Sequence, residues 1–567
     1  MNGSSDTTST RKKRKTREDR KPSCSECRAH KVRCDASLDY SRPCSRCRAK
    51  NVACIVEEER KKESAKLTQK QSTAPIVNPS GTQTQTIGGV LVEGAMIDLC
   101  FVRFYRFHAP LVPILESEIT PQDCLLESPF KFWVITAIGS RKCLEDPTLF
   151  TRLSPHVESM AMTLTSWSQT SPYPVLEAWL LMCNFQLSID VPFWRTVYCT
   201  LSSAAVAFAE RTVMLTSLHS QGVFMQFKGL DTDRGAILSA HTNALHQSLM
   251  GLHGYPVNDT IEMQQLLTNQ SRRKYLPGWI FLQSRAMAIV AKIHRLTSEL
   301  TLGGALHNQS RVLRSLVRAS ELELSELSLQ TKPEDFGPLS PFDVAVARLQ
   351  VNSLLFLMSQ KDLDHTDRSR LSNSAIETME AISGLERTHS ISLACPHSIF
   401  QGIQLAACTL LRLVKSSTSD SNHAGDDQKD AIFAAINITK CISVRNNDIP
   451  AKFSEIVSQL WSSENMYRDA SGMYPTDLYI KNHYSMNVVF DCLWWWRKLF
   501  LQGPSHNPPS IINNHRSDSS RSSNPGAHET ADLNQNFWMD RGTWGFDWDM
   551  FDNFDLLDLP AIDIAPE

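Results

Sequence analysis

Six cysteines between Cys24 and Cys54 fall in the spacing C-x2-C-x6-C-x9-C-x2-C-x6-C. Thiolates this close together suit structural zinc, which takes four such ligands in a tetrahedron. Six ligands serve two zinc ions only if two thiolates are shared between the metals. The stretch is also an internal repeat: Cys24-Ser-Glu-Cys-Arg-Ala-His-Lys-Val-Arg-Cys34 aligns without a gap on Cys44-Ser-Arg-Cys-Arg-Ala-Lys-Asn-Val-Ala-Cys54. Each half reads as a metal-binding turn, a short helix and an extended return to the third cysteine. A disulfide framework would suit a small secreted chain instead, and the polar, then basic N-terminus has no apolar core of a signal peptide.

The charges around the cysteines indicate a partner. Over the whole chain of 567 residues the net charge is −2, yet residues 1–70 carry 20 Lys/Arg against 10 Asp/Glu, leaving 38 against 50 for the rest. A basic head on an acidic body points to a polyanion bound at the N-terminus. A helix fits the major groove of double-stranded DNA, where guanine O6 and N7 accept from Lys or Arg. The two half-modules differ where that matters. The first has His30, Lys31 and Arg33, and the second has Lys50, Asn51 and Ala53 at the matching places. The first helix is therefore expected to read bases and the second to brace phosphates. Lys31 is the base-reading candidate, with His30 beside it. Arg28 and Arg33 are assigned to phosphates, and Arg46, Arg48 and Lys50 to anchoring the second half. Upstream, Arg11, Lys12, Lys13, Arg14 and Lys15 form a basic run that suits nuclear import or a grip on phosphates.

The six-cysteine pattern resembles the fungal binuclear zinc cluster transcription factors, on Cys24, Cys27, Cys34, Cys44, Cys47 and Cys54 together with Arg28, Lys31 and Arg33. The resemblance implies two Zn2+ ions bridged by Cys24 and Cys44, one completed by Cys27 and Cys34 and the other by Cys47 and Cys54. It also implies that Lys31 contacts a CGG-type triplet, and that the chain works in the nucleus as a transcriptional regulator. Phe101 to Leu115, Val175 to Cys183, Phe193-Trp194 and Ala204 to His219 resemble the middle regulatory domain of that family. The segment Val488 to Trp496, with its triple Trp, resembles the subset related to fungal regulators of leucine biosynthesis.

The organisation expected along the chain is a disordered basic arm (1–21), the zinc module (22–56), a charged stretch and linker (57–89), an all-helical regulatory domain (90–502), a disordered linker (503–530) and an acidic-aromatic segment (531–567). The fold class is mainly α. Leu282, Ala286, Ile289, Ile293 and Leu296 mark one helix face, Val344, Val351, Leu355 and Met358 a second, and Ile403, Ala407, Leu410, Leu411 and Val414 a third. The zinc module is too small to fold on an apolar core, so metal must supply its folding energy. No sustained heptad follows Cys54, which either argues against a homodimer or moves its contact into the large domain. The nine remaining cysteines, Cys100 to Cys492, read as small buried apolar residues. No apolar run approaches the ~18 residues of a membrane span.

In the last segment Trp544, Trp548, Phe551, Phe554 and Leu557 alternate with Asp547, Asp549, Asp552, Asp555 and Asp558. Acid keeps the aromatics soluble until they meet an apolar groove, which is the pattern of an activation segment binding transcriptional coactivators. The competing expectations are a repressor or accessory regulator whose tail folds back on its own helical domain, and a zinc-knot scaffold that binds no DNA. In the activator reading the helical domain regulates by binding a small-molecule effector, a partner or the tail. No Gly-rich phosphate loop, His-Glu-x-x-His motif or nucleophile elbow suggests an enzyme.

Overall fold

The computed structural model describes residues 27, 32, 44–50, 81–115, 117–163, 172–188, 197–220, 231–255, 276–302, 310–330, 336–416, 425–464, 466–468 and 476–500. Two compact units divide the chain between Ser80 and Gly81. In the first unit the described residues include one short helix, α1 (Ser45–Lys50).

The second unit opens on a hairpin, β1 (Gln85–Ile87) and β2 (Val90–Val92), paired antiparallel with Ile87 opposite Val90. Composition placed residues 81–89 in a linker, and here the structure departs from that expectation. Gly88 and Gly89 both have positive φ, +53° and +83°. Two successive left-handed residues make the hairpin turn that matches strand twist. Ile87 and Val92 then anchor the ribbon by their buried side chains.

The rest is helical, as the periodicity predicted: α2 (Gly94–Arg103), α3 (Pro121–Glu127), α4 (Pro129–Gly139), α5 (Leu149–Thr163), α6 (Tyr173–Asn184), α7 (Tyr198–Ser220), α8 (Thr232–Gly251), α9 (Gly278–Leu302), α10 (Ser310–Gln330), α11 (Ser340–Ser353), α12 (His365–His389), α13 (His397–Lys415), α14 (Asp426–Ile442), α15 (Ile449–Ser462) and α16 (Asn487–Phe500). One contiguous apolar core runs through these helices, from Ile87 to Trp496. Leu282, Ala286, Ile289 and Ile293 are buried on α9, and Ile403, Ala407, Leu410 and Leu411 on α13. Leu296 and Val414, at the ends of those faces, are half-buried. No helix among the described residues is long and apolar enough to cross a membrane.

Helix α4 is enclosed on all sides, with Phe130 to Gly139 buried. Helix α2 crosses it so closely that a Cβ on Gly139 would sit 2.0 Å from the Cys100 carbonyl oxygen. Only glycine allows that approach. Arg103 then donates to the carbonyls of Gly139, Arg141 and Lys142, placing a cation at the end of α4 where carbonyls lack helical partners. The C-terminal third is tied by a buried ion pair. Arg412 on α13 lies 3.0 Å from Asp491 on α16, and both side chains are fully buried. The triple Trp is also explained by packing. Trp495 and Trp496 are buried, and Trp494 stacks on Tyr479 with ring centroids 4.2 Å apart.

Seven of the nine body cysteines are buried; Cys199 is half-buried, and Cys441 is exposed on α14, contrary to expectation. Position 441 lies on the outer side of an amphipathic helix whose inner side is Ile432, Ala435, Ile438 and Ile442. Burial pushes the Cys124 and Cys395 thiols up to about 12. They stay protonated at neutral pH, which fits packing rather than metal binding.

Three buried histidines make the body acid-sensitive. Burial lowers His108 to about 3, helped by Arg141 and Arg103, His241 to about 4, helped by Arg234, and His294 to about 3. A depressed folded value means stability that is present above the unfolded value of about 6.5 and lost as pH falls towards the folded ones. At pH 5 each ring costs ~2 kcal/mol. Asp343 works the other way, because burial raises it to about 8. Its contribution grows as pH falls through that value, by ~2–3 kcal/mol between pH 7 and 5. His253 and His397 are lowered by burial as well, so the histidine losses outweigh the Asp343 gain and the urea midpoint is expected to be lower at pH 5 than at pH 7. Asp343→Asn should steepen the fall. A midpoint that rose on acidification would contradict the burial of these rings.

Candidate metal centre and nucleic-acid interface

The metal centre is built on a turn. The Arg48 amide donates to the Cys44 carbonyl at 3.0 Å, which starts α1 at the fourth cysteine. The x2 spacing brings Cys47 round to the same side, and its amide donates to the Cys44 sulfur at 3.4 Å. An N–H aimed at sulfur favours the thiolate, the form that binds metal. Cys27, from the first half of the repeat, completes the group: its Sγ lies 3.7 Å from that of Cys44. All three Sγ atoms fall within 4.8 Å of one another, and all three residues are buried.

These distances fit zinc. A tetrahedron with Zn–S bonds of ~2.3 Å has S···S edges of about 3.8 Å, whereas a disulfide would need ~2.05 Å. Among the described residues this is the one group of three or more His, Cys, Asp or Glu side chains close enough to hold a metal ion.

Cys47 is buried on α1, whereas Arg48 and Lys50 are exposed and Arg46 is half-buried. The short helix therefore turns a thiolate inward and cations outward. Cys24, Cys34 and Cys54 lie outside the described residues. So do Arg28, His30, Lys31 and Arg33, the basic run Arg11 to Lys15, and Trp544, Trp548, Phe551, Phe554 and Leu557.

Sequence reasoning did not identify a polar seam inside the helical body. Helix α8 carries few strongly apolar residues, yet Ser239, His241, Thr242, Asn243, Gln247 and Ser248 are buried along it. His241 packs edge-on against Trp279, with centroids 5.0 Å apart. Gln283, one turn further along α9, hydrogen-bonds Asp343 on α11. The ring nitrogens of His241 and the Oε1 of Gln283 are buried without a protein partner among the described residues. The available signal was the polarity of a helix within an apolar body, but the sequence does not show which helices are enclosed.

Comparison with known proteins agrees with the metal chemistry. Residues 22–64 match the fungal Zn(2)-Cys(6) binuclear cluster domain. The chain carries the binuclear zinc cluster domain found in fungal transcription factors and binds two zinc ions through that domain. This is a family of transcription factors, not of enzymes. The chain is also similar to the regulatory protein LEU3 of Saccharomyces cerevisiae, at 22% identity over 472 residues, covering 72% of this chain and 52% of that protein. It thus spans about half the length of the curated relative it matches. No solved structure matches the chain.

Proposed function

We propose that the protein is a nuclear, sequence-specific DNA-binding regulator that activates transcription by RNA polymerase II, reading CGG-type triplets with a zinc-folded helix. The observation that carries this reading is the thiolate triad of Cys27, Cys44 and Cys47 beneath the outward cations of α1. Cys44 lies against sulfurs from both halves of the repeat, which supports its role as a bridging ligand, with Cys24 as the second bridge. Cys27 and Cys34 complete one zinc, and Cys47 and Cys54 the other. Arg46, Arg48 and Lys50 hold phosphates, while Lys31 reads bases in the first half. Arg28 and Arg33 flank it on phosphates, and His30 lies alongside. The run Arg11 to Lys15 directs nuclear import.

The acidic-aromatic segment 531–567 recruits coactivators, and the helical body adjusts its availability. The buried polar groups at His241, Gln283 and Asp343 support a small-molecule effector as one input, because enclosed polar side chains favour a polar ligand.

Selection of random duplexes by the zinc-loaded full chain should enrich CG-rich triplets and lose all preference after chelation. Absence of enrichment would leave the scaffold reading. Lys31→Ala should remove the triplet preference, ~1–3 kcal/mol of discrimination, whereas Asn51→Ala should change it little; equal effects would overturn the division between the halves. Residues 531–567 fused to an unrelated DNA-binding module should raise reporter output. A silent fusion would favour the self-inhibiting tail of a repressor.

A further inference from the structure

Helix α10 buries Leu313, Val317, Leu324 and Leu327 on its inner side. Its outer side carries Val312, Ser315, Ala319, Leu322, Glu326 and Leu329, all exposed. Their spacing is 3-4-3-4-3, the a/d seam of a coiled coil. Leu322 and Leu329 are 69% and 86% exposed, and Val312 is 45% exposed. Large aliphatic side chains in one heptad-spaced strip on a single helix indicate a helical partner.

We propose that this seam is a homodimer contact in which α10 of two copies pairs antiparallel about a two-fold axis between Ser320 and Glu321. The spacing reads the same in both directions, so the antiparallel register follows directly. Val312 meets Leu329 of the second copy, Ser315 meets Glu326, and Ala319 meets Leu322. Each a position faces a d position, and the small Ala319 faces the larger Leu322.

Charge selects the same arrangement. Arg311 and Arg318 are exposed one turn to either side of Ser315, so Glu326 of the second copy comes between two guanidinium groups. Two-fold symmetry makes that contact twice. Parallel pairing in register would instead set Glu326 against Glu326 across the seam. The experiment below separates a second copy from the chain's own acidic segment 531–567, because a strip covered by that segment would leave the chain monomeric at every concentration. One two-helix seam is smaller than the roughly 1,600 Å² of a standard interface. The pair therefore exchanges with monomer, and adjacent DNA sites would favour the dimer. The proposal stands on α10 alone, independent of what the zinc module reads.

Sedimentation equilibrium of the zinc-loaded full chain should show a monomer–dimer equilibrium. Leu322→Arg with Leu329→Arg should leave monomer with an unchanged circular dichroism spectrum, since both positions are exposed. Glu326→Arg should weaken the dimer at least tenfold, and adding Arg311→Glu and Arg318→Glu to it should restore the dimer. Three results would each overturn the proposal: a chain that stays monomeric at every concentration, a dimer that survives the double leucine replacement, or a triple charge exchange no better than Glu326→Arg. Triplet preference on a single DNA site should be the same in all these variants, so failure of the dimer and failure of DNA reading give different results.

Discussion

Replacing Cys44 with serine is expected to remove both zinc ions from the chain and abolish DNA binding, while the helical body keeps its unfolding midpoint. The cause is the position of one sulfur. Cys44 lies 3.7 Å from Cys27, a residue of the other half-module, and accepts from the amide of Cys47, its partner within the turn. As the bridging thiolate proposed above, Cys44 would belong to two tetrahedra, so its loss would leave both metals with three ligands. The module has no apolar core to fall back on. Structural zinc contributes an apparent ~10–16 kcal/mol in small metal-folded modules, more than a typical domain's whole stability of about 5–15 kcal/mol. Each of the two units is compact in itself, so the body is expected not to register the change. Metal analysis should give two zinc ions per chain for the native protein and for Cys441→Ser, an exposed body cysteine, and none for Cys44→Ser. A Cys44→Ser protein that kept two zinc ions would rule out the bridge.

Asp491→Ala is expected to destabilise the helical body by roughly 3–5 kcal/mol, the cost of leaving a buried charge without its partner. Arg412 cannot shed its proton in a protein. It is fully buried, with its guanidinium carbon 4.2 Å from the centroid of the Tyr467 ring, and it also donates to the Thr476 carbonyl. Burial pushes the Asp491 carboxyl above its ordinary range, and Arg412 pulls it back. The second carboxylate oxygen accepts from the Tyr479 amide at 2.7 Å, which fixes the chain entering α16. Deleting the carboxylate therefore strands a cation and frees that entry. Asp491→Asn should cost less, because its side-chain oxygen can still accept from Tyr479. Replacing both partners by apolar residues, Arg412→Met with Asp491→Leu, should recover much of the loss. Urea unfolding monitored by circular dichroism reads all three. A loss under about 1 kcal/mol for Asp491→Ala would place the pair in contact with water.

The helical faces were legible because their period is short and their burial one-sided. Leu282 to Ile293 and Ile403 to Leu411 repeat at three and four residues, and a helix with such a strip can bury it in only one direction. The hairpin was read as linker because the residues before Val90 are mostly polar, and Gly88-Gly89 signals a turn only once two short flanking strands are recognised. The outer seam of α10 was missed for a related reason. Ser315, Ala319 and Glu326 carry no apolar signal, and the inner strip of the same helix is the stronger pattern. The ion pair of Arg412 and Asp491 was not readable either. These residues stand 79 positions apart, and nothing local marks either as buried.

The sequence by itself determined the metal and the family of the domain that holds it, because thiolate chemistry acts through short fixed spacings that a linear chain displays in full. It also determined that the body is helical, since backbone period follows from local pattern. Only the tertiary structure decided that sulfurs of the two halves lie together at Cys27, Cys44 and Cys47, which histidines are enclosed enough to resist protonation, and which leucines of α10 are left facing outward. Those properties depend on what lies across a gap of a few ångströms between residues far apart in the chain. Burial and proximity are set by packing, and packing has no one-dimensional record.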